Sequence, residues 1–292
     1  MKKFFTLRGW VRALYALQGT GLPRVAEFIC KIQAKRYPNT EIVIEDFCGD
    51  AKFICRLSEH MGSQIYWRGS YSGPQLKVLA SRLRPGGVFI DLGANQGEFS
   101  VCAARLVGER GRVYAFEPSP VMQRRLRSNV SLNGFVQVCI EAVAVADKPG
   151  RLTLFSPTGI FGDGTTHDGL PTLYERGDEV ATSTVEVPVT TLDEWQTQRN
   201  IEHVDVIKMD IEGAELPALK GGLRLIHCFR PVLFIELNAA TSRAAGYSMQ
   251  DLVAWLHEQD YELQRIDDDG CFLPLELDRL QPFQDILATP RP

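Results

Sequence analysis

From about residue 75 onward the chain alternates short apolar runs with amphipathic stretches, and no other feature narrows its fold as far. The spacing predicts a helix over 74–83, a strand over 88–92, a helix over 97–107, a strand over 112–117, and a helix opened by Ser119-Pro120 and closed by Asn133-Gly134. The pattern resumes with a strand over 204–210, a helix near 214–225, a strand over 232–237 and a helix capped by Ser248 with Asp251 three residues on. Such alternation implies an α/β architecture, a mostly parallel sheet with helices on both faces. Two last extended stretches, 262–266 and 283–287, have no helix between them, so one is expected to run antiparallel.

The remaining segments are additions to this frame. Residues 151–156 and 184–190 read as paired strands flanking a polar, glycine-rich segment, 157–183, of a length that suits a substrate loop. Residues 41–46 and 52–57 alternate around Cys48-Gly49-Asp50 and predict a hairpin, with a third extended piece at 64–67. Before it, Leu7, Trp10, Val11, Leu14 and Leu17, and then Val25, Phe28, Ile29 and Ile32, recur at helical spacing. The expected division is a helical arm and hairpin cap over 1–73 and a main domain over 74–292.

Charge separates the two parts. The whole chain carries −4, but residues 1–36 hold eight Lys/Arg and one acid, a net +7 that leaves −11 on the rest. An acidic body repels nucleic acid and attracts the arm, so docking of the arm on the body is the expected arrangement; a peripheral membrane contact, with Lys2, Lys3, Arg8 and Arg12 beside Trp10, is the alternative. The seven cysteines form no CxxC pair and read as reduced thiols rather than disulfides or zinc ligands. No run approaches a membrane span and the first residues do not resemble a secretory signal, so the expected compartment is the cytoplasm.

The chemistry concentrates at 85–100, PGGVFIDLGANQGEFS. A dinucleotide turn uses GxGxxG, its second glycine admitting the pyrophosphate and its third packing helix on strand. Started at Gly93, that template puts Asn95 second and Glu98 third, and a phosphate there would meet Asp91 and Glu98. A cationic or zwitterionic ligand without phosphate fits better, and S-adenosylmethionine has that character. Asp91 offers an acceptor near its ammonium, Gly93 and Gly97 admit its methionine half, and Glu117, at the end of the next strand, accepts from the ribose hydroxyls. Both acids are expected at strand ends outside the core. The cofactor set is therefore Asp91, Gly93, Asn95, Gly97, Glu117, Pro118 and Asp210.

The pieces FIDLGANQGEFS, YAFEPSP, NVSLNG, AVAVAD, VTTLDEW and VIKMDIEGAELPALKGG, in that order over about 65–240, resemble the FkbM-type methyltransferases within the class I S-adenosylmethionine-dependent, Rossmann-like fold. The resemblance implies a seven-stranded sheet with a reversed last strand and O-methylation of hydroxyls on sugars, polyketides, lipids or other small molecules. Ser72 stands where that family commonly shows glutamate.

On the acceptor side, Asp210 ends the strand VDVIKMD, with Glu212 and Glu215 at the start of the next helix. Lys208 lies on the same strand face as Asp210, where a charge requires a partner, so pairing with a carboxylate is set beside a catalytic role. His167, in the glycine-rich loop, is the one histidine expected near an entering acceptor. The catalytic candidates are Asp210, Glu212, Lys208 and His167. Asp210, Glu236 and Asn238 together present oxygen ligands suited to a hard divalent cation, although a metal-free site is the expectation. The expected activity is methyl transfer to a hydroxyl of a small-molecule, sugar or glycolipid acceptor. A non-catalytic cofactor-binding module and an NAD-dependent enzyme are the rivals.

Overall fold

The computed structural model describes residues 2–16, 22–37, 40–157, 165–166, 171–174 and 181–291. Two helices, α1 (Lys2–Ala16) and α2 (Leu22–Arg36), precede an antiparallel hairpin of β1 (Glu41–Phe47) and β2 (Ala51–Arg56). Helix α3 (His60–Arg68) follows, and Gly69, at φ 100°, ends it in the left-handed conformation favoured after helices. The extended piece expected at 64–67 is thus helical. Its Ile-Tyr-Trp run carries the residue types of a strand, but burial of Ile65, Tyr66 and Trp67 in the core under the hairpin overrides that preference.

The arm is docked. Val11, Ala26 and Cys30 share a hydrophobic cluster with Ile44, Phe53 and Ile65. Arg8 is buried, donates to the Tyr66 carbonyl at 2.5 Å and pairs with Asp46 at 2.8 Å, and Arg12 pairs with the other Asp46 oxygen at 2.8 Å. The apolar stripes of the sequence, however, meet the body only in part. Leu7, Leu14 and Ile29 pack against the cluster, whereas Trp10, Val25, Phe28 and Ile32 are exposed, and Leu17 lies outside the described residues. On α2 the buried positions are Ala26, Cys30 and Ala34.

The main domain runs α4 (Gly73–Arg82), β3 (Val88–Leu92), α5 (Glu98–Val107), β4 (Arg112–Phe116), α6 (Pro120–Leu132) and β5 (Val138–Glu141). A side sheet then forms from β6 (Ala144–Val145), β7 (Gly150–Pro157) and β8 (Ala181–Thr190), with β7 and β8 antiparallel as the sequence predicts. After α7 (Leu192–Arg199) and β9 (Val206–Met209), the single helix expected near 214–225 is two, α8 (Glu215–Gly221) and α9 (Leu223–Phe229), because the Gly221-Gly222 pair is a poor helix interior. The chain closes with β10 (Val232–Asn238), α10 (Ala239–Ala244), α11 (Met249–Glu258), β11 (Tyr261–Ile266), β12 (Phe272–Pro274) and β13 (Phe283–Pro290). Ser248 and Asp251 form the capping box at the start of α11.

The central sheet has the order β12-β11-β13-β10-β9-β3-β4-β5. Strand β13 is the reversed one, antiparallel to both β10 and β11, while β10, β9, β3, β4 and β5 run parallel. The sheet has eight strands where seven were expected, because β12 folds back on β11 as an edge hairpin. The reversal between β9 and β4, flanking β3, leaves a crevice at the carboxyl ends of the strands, the usual ligand site of such sheets.

The expectation of unpaired thiols fails at one pair. Cys48 in the hairpin turn is bonded to Cys102 on α5, their Cα atoms 5.7 Å apart, within ordinary disulfide reach. Packing of the hairpin on α5 brings together residues separated by 54 positions, which no local motif announces. Cys30, Cys55, Cys139, Cys228 and Cys271 take part in no disulfide. Among the described residues, no helix is long and apolar enough to cross a membrane.

Candidate active site

The turn after β3 is shaped first by protein contacts. Gly93 has φ 79°, and a Cβ there would strike the carbonyl of Asp210; Gly97 has φ 96°, and a Cβ there would lie 2.7 Å from Leu126 Cδ1. Both glycines are therefore required by packing, whatever the turn holds. Asp91 is wholly buried: its Oδ2 accepts from the Ser100 hydroxyl at 2.6 Å and its Oδ1 lies 3.5 Å from Lys208 Nζ. Burial pushes its carboxyl upward against the pull of that ammonium. The ammonium Asp91 faces is thus that of Lys208, and Asp91 sits beneath the turn rather than in the lining of the cleft.

Gly93, Asn95, Glu117 and Pro118 do line one cleft, of about 390 Å³. Glu117 ends β4 and is buried, so the expectation of an acid outside the core fails for it as for Asp91. Its two oxygens accept from the backbone N–H groups of Asn95 and Ser119, both at 2.8 Å, and burial pushes its carboxyl up to about 7. Each oxygen keeps a second lone pair, so a diol can still be accepted from the cleft. Glu98, in the first turn of α5, accepts from the N–H groups of Tyr71 at 2.6 Å and Ser72 at 3.2 Å. That holds segment 71–72 over the cleft by its backbone, and the Ser72 side chain makes no cap to α4.

The same cleft is lined by Lys208, Asp210, Glu212 and Glu236, which the sequence places on the acceptor side, and by Asp285. Lys208 donates to the carbonyls of Gly93 at 2.9 Å and Leu92 at 3.4 Å and lies 3.5 Å from Asp210 Oδ2. Burial alone would lower its proton affinity, but Asp210 and Asp91 reverse this and raise it, so Lys208 stays a cation. It ties β9 to the β3 turn and has no lone pair with which to accept a proton. Carboxylate oxygens of Asp210, Glu212 and Glu236 lie within 4.8 Å of one another. Burial first, then Asp210 and Glu212, push the Glu236 carboxyl well above its ordinary range.

Several sequence candidates fall elsewhere. Glu215 is buried, accepting from the N–H groups of Ile211 at 2.9 Å and Gly213 at 3.0 Å and from the Tyr247 hydroxyl at 3.1 Å, so it shapes the loop rather than facing the cleft. Asn238 caps α10 through its side-chain oxygen, and the carboxylates that converge with Asp210 and Glu236 include Glu212. His167 lies outside the described residues. The described residues on either side of it, Thr166, Pro171 and Leu173, line the cleft.

Other lining residues were not anticipated. His60 faces the cleft, although His167 was the one histidine expected there, with Nδ1 3.2 Å from the Thr165 hydroxyl and its ring edge-on to Tyr71. Asp285 is placed directly opposite Glu236 by the β10–β13 register, and burial pushes its carboxyl up to about 6. Its one sequence signal is that it is the sole acid in the terminal strand FQDILATP.

Sheet order and cleft together define a class I methyltransferase domain of the Rossmann-like type. The model of the methyltransferase FkbM domain matches residues 91–263, and the chain belongs to that family. It is similar to the 2-O-methyltransferase NoeI of Sinorhizobium fredii, 26% identical over 48% of this chain and 58% of the relative. It is also similar to the 31-O-demethyl-FK506 methyltransferase FkbM of Streptomyces tacrolimicus, 28% identical over 65% of this chain and 75% of the relative. The chain thus spans less than two thirds of the first relative's length. A crystal structure of methyltransferase FkbM from Methylobacillus flagellatus superposes with a TM-score of 0.43 at 18% identity, covering 77% of this chain and 52% of that one.

Proposed function

We propose that this protein transfers a methyl group from S-adenosylmethionine to a hydroxyl of a small polyhydroxylated acceptor, either a sugar or a glycosylated or lipid-linked molecule. The observation that carries the reading is one cleft lined both by Glu117 and by the Asp210–Glu212–Glu236 cluster. The cofactor end fits the ligand by its donor set. Glu117 suits a ribose diol, Phe116 and Val143 supply apolar wall, and Glu98, in the first turn of α5, opposes a pyrophosphate at that helix end. The cationic side chains of the lining are committed to carboxylates, Lys208 to Asp91 and Asp210 and Arg125 to Glu59 at 2.6 Å.

When bound, S-adenosylmethionine supplies a methyl carbon made electrophilic by its sulfonium. The chain's part is to align the acceptor oxygen and take its proton. Glu236, whose proton affinity is raised by burial and then by the neighbouring Asp210 carboxylate, acts with Asp210 as the base. Lys208 holds the turn and supplies the cluster's positive charge in place of a metal ion. At the mouth, the exposed rings of Tyr71 and Phe283 offer flat apolar surface beside acceptor oxygens, and the excess of acids opposes an anionic acceptor. The names of the two curated relatives, both O-methyltransferases, support transfer to oxygen.

An acceptor screen with methyl-labelled cofactor tests the reading. Label is expected in neutral or amine-bearing glycosides, in an ether that resists alkali, with turnover persisting after exhaustive EDTA. Label confined to nitrogen or carbon acceptors, or no transfer to any acceptor despite cofactor binding, would contradict it.

A further inference from the structure

Helix α2 has two apolar faces of unequal size. The face against the body is made of small side chains, Ala26 at 0%, Cys30 at 9% and Ala34 at 3% exposure. The large ones point away: Val25 is 47% exposed, Phe28 64% and Ile32 45%. Their i, i+3, i+7 spacing puts them on one stripe along the helix. Packing on the body alone would favour the reverse arrangement, since burial of large side chains is what stabilises a docked helix. Isolated exposed apolar residues are ordinary, but a contiguous stripe marks a contact surface.

The charges on α2 say what would meet that stripe. Arg24, Lys31 and Lys35 are exposed beside it and, among the described residues, have no ion-pair partner. The helix carries four basic residues and one acid, Glu27. Arg8 and Arg12 of α1, by contrast, are spent on Asp46. A second copy of this chain would have to bring the same positive face against itself across a two-fold axis, which like-charge repulsion disfavours.

We infer that α2 lies on the surface of an anionic lipid bilayer, with Val25, Phe28 and Ile32 in the headgroup boundary and Arg24, Lys31 and Lys35 against the lipid charges. Docking of the arm and membrane contact are then compatible: α1 and the inner face of α2 fasten the arm, and the outer face of α2 is the contact. The catalytic domain would thereby be held at a surface where amphiphilic acceptors gather. This placement does not depend on the methyl-transfer reading.

The test is co-sedimentation of the full chain with vesicles of phosphatidylcholine alone or mixed with phosphatidylglycerol. The protein is expected to pellet with the mixed vesicles at roughly 0.01 M salt, where the screening length is about 30 Å, and to be largely released at about 1 M. Phe28→Ser is expected to lower partitioning about tenfold or more, because burying a Phe side chain is worth at least a decade. Lys31→Glu combined with Lys35→Glu should remove the preference for phosphatidylglycerol. All three positions are exposed, so both variants should melt like the parent. A parent chain that stays in the supernatant with mixed vesicles at low salt overturns the inference, as does Phe28→Ser protein that pellets like the parent. A concentration-dependent dimer abolished by Phe28→Ser would assign the face to a second copy and also overturn it.

Discussion

At the cofactor end of the cleft, Glu98 and Glu117 spend their oxygens on backbone N–H groups of Tyr71, Ser72, Asn95 and Ser119. At the acceptor end, Asp210 leans on the Lys208 ammonium at 3.5 Å, Glu236 meets the Asn238 amide at 3.5 Å, and the carboxylates crowd one another. Backbone donors fix the position of a carboxylate and offset part of its burial, although burial still raises the proton affinity of Glu117 and Glu98. At Glu236 the neighbouring carboxylates add to the effect of burial instead of offsetting it. The first arrangement builds a shaped receptor and the second a base, so substitutions at the two ends should fail in different ways.

The largest expected effect is at the acceptor end. Asp210→Asn should lower kcat by about 10²–10⁴-fold, the usual contribution of a general base, while cofactor affinity and melting temperature stay near wild type. Unchanged turnover in this variant would remove Asp210 from the base. At the other end, Glu117→Ala should weaken cofactor binding by about 1.5–3 kcal/mol, the worth of hydrogen bonds to a charged group, with kcat at saturating cofactor largely retained. Calorimetry showing wild-type affinity would break the contrast between the two ends.

Glu215 offers a comparison within the acceptor loop itself. It is built like the cofactor-end acids, so Glu215→Ala should cost about 1–3 kcal/mol of stability through the stranded N–H groups of Ile211 and Gly213. A denaturant melt measures this. A variant as stable as the parent but inactive would move Glu215 into the chemistry.

The smallest effect is a pH dependence. Glu117 has its folded proton affinity raised to about 7 from an ordinary value of 4.5, so its contribution to the stability of the ligand-free protein is present below 4.5 and lost as pH rises through about 7. Cofactor affinity runs the other way. Ribose hydroxyls donate to the ionised carboxylate, so affinity should fall as pH drops below about 7, by no more than about tenfold per unit, and Glu117→Gln should flatten the profile. A parent profile already flat between pH 5 and 8 would show that Glu117 does not exchange a proton on binding.

What was legible in the sequence follows from what is local. The strand–helix alternation, the ends of β3, β4 and β9, and the capping box at Ser248 are encoded by neighbours in the chain. The roles of the strand-end acids are not, because Asp91 meets Lys208 only across the β3–β9 pairing, and Asp285 meets Glu236 only through the reversed β13. The Ile-Tyr-Trp run in α3 was misread because burial outweighed its strand preference. The inner face of α2 was missed because Ala26, Cys30 and Ala34 contribute little to an apolar pattern dominated by Phe28 and Ile32. His60 reached the cleft through the pairing of Glu59 with Thr166, a contact between segments more than a hundred residues apart.

The most direct test is a calorimetric titration of the intact protein with S-adenosylmethionine and, separately, with NAD. The structure of the turn predicts one-to-one binding of S-adenosylmethionine and no heat with NAD, because Glu98 stands in the first turn of α5, the helix end where a dinucleotide's pyrophosphate would bind. Binding of NAD with none of S-adenosylmethionine would contradict both the cofactor assignment and the function built on it.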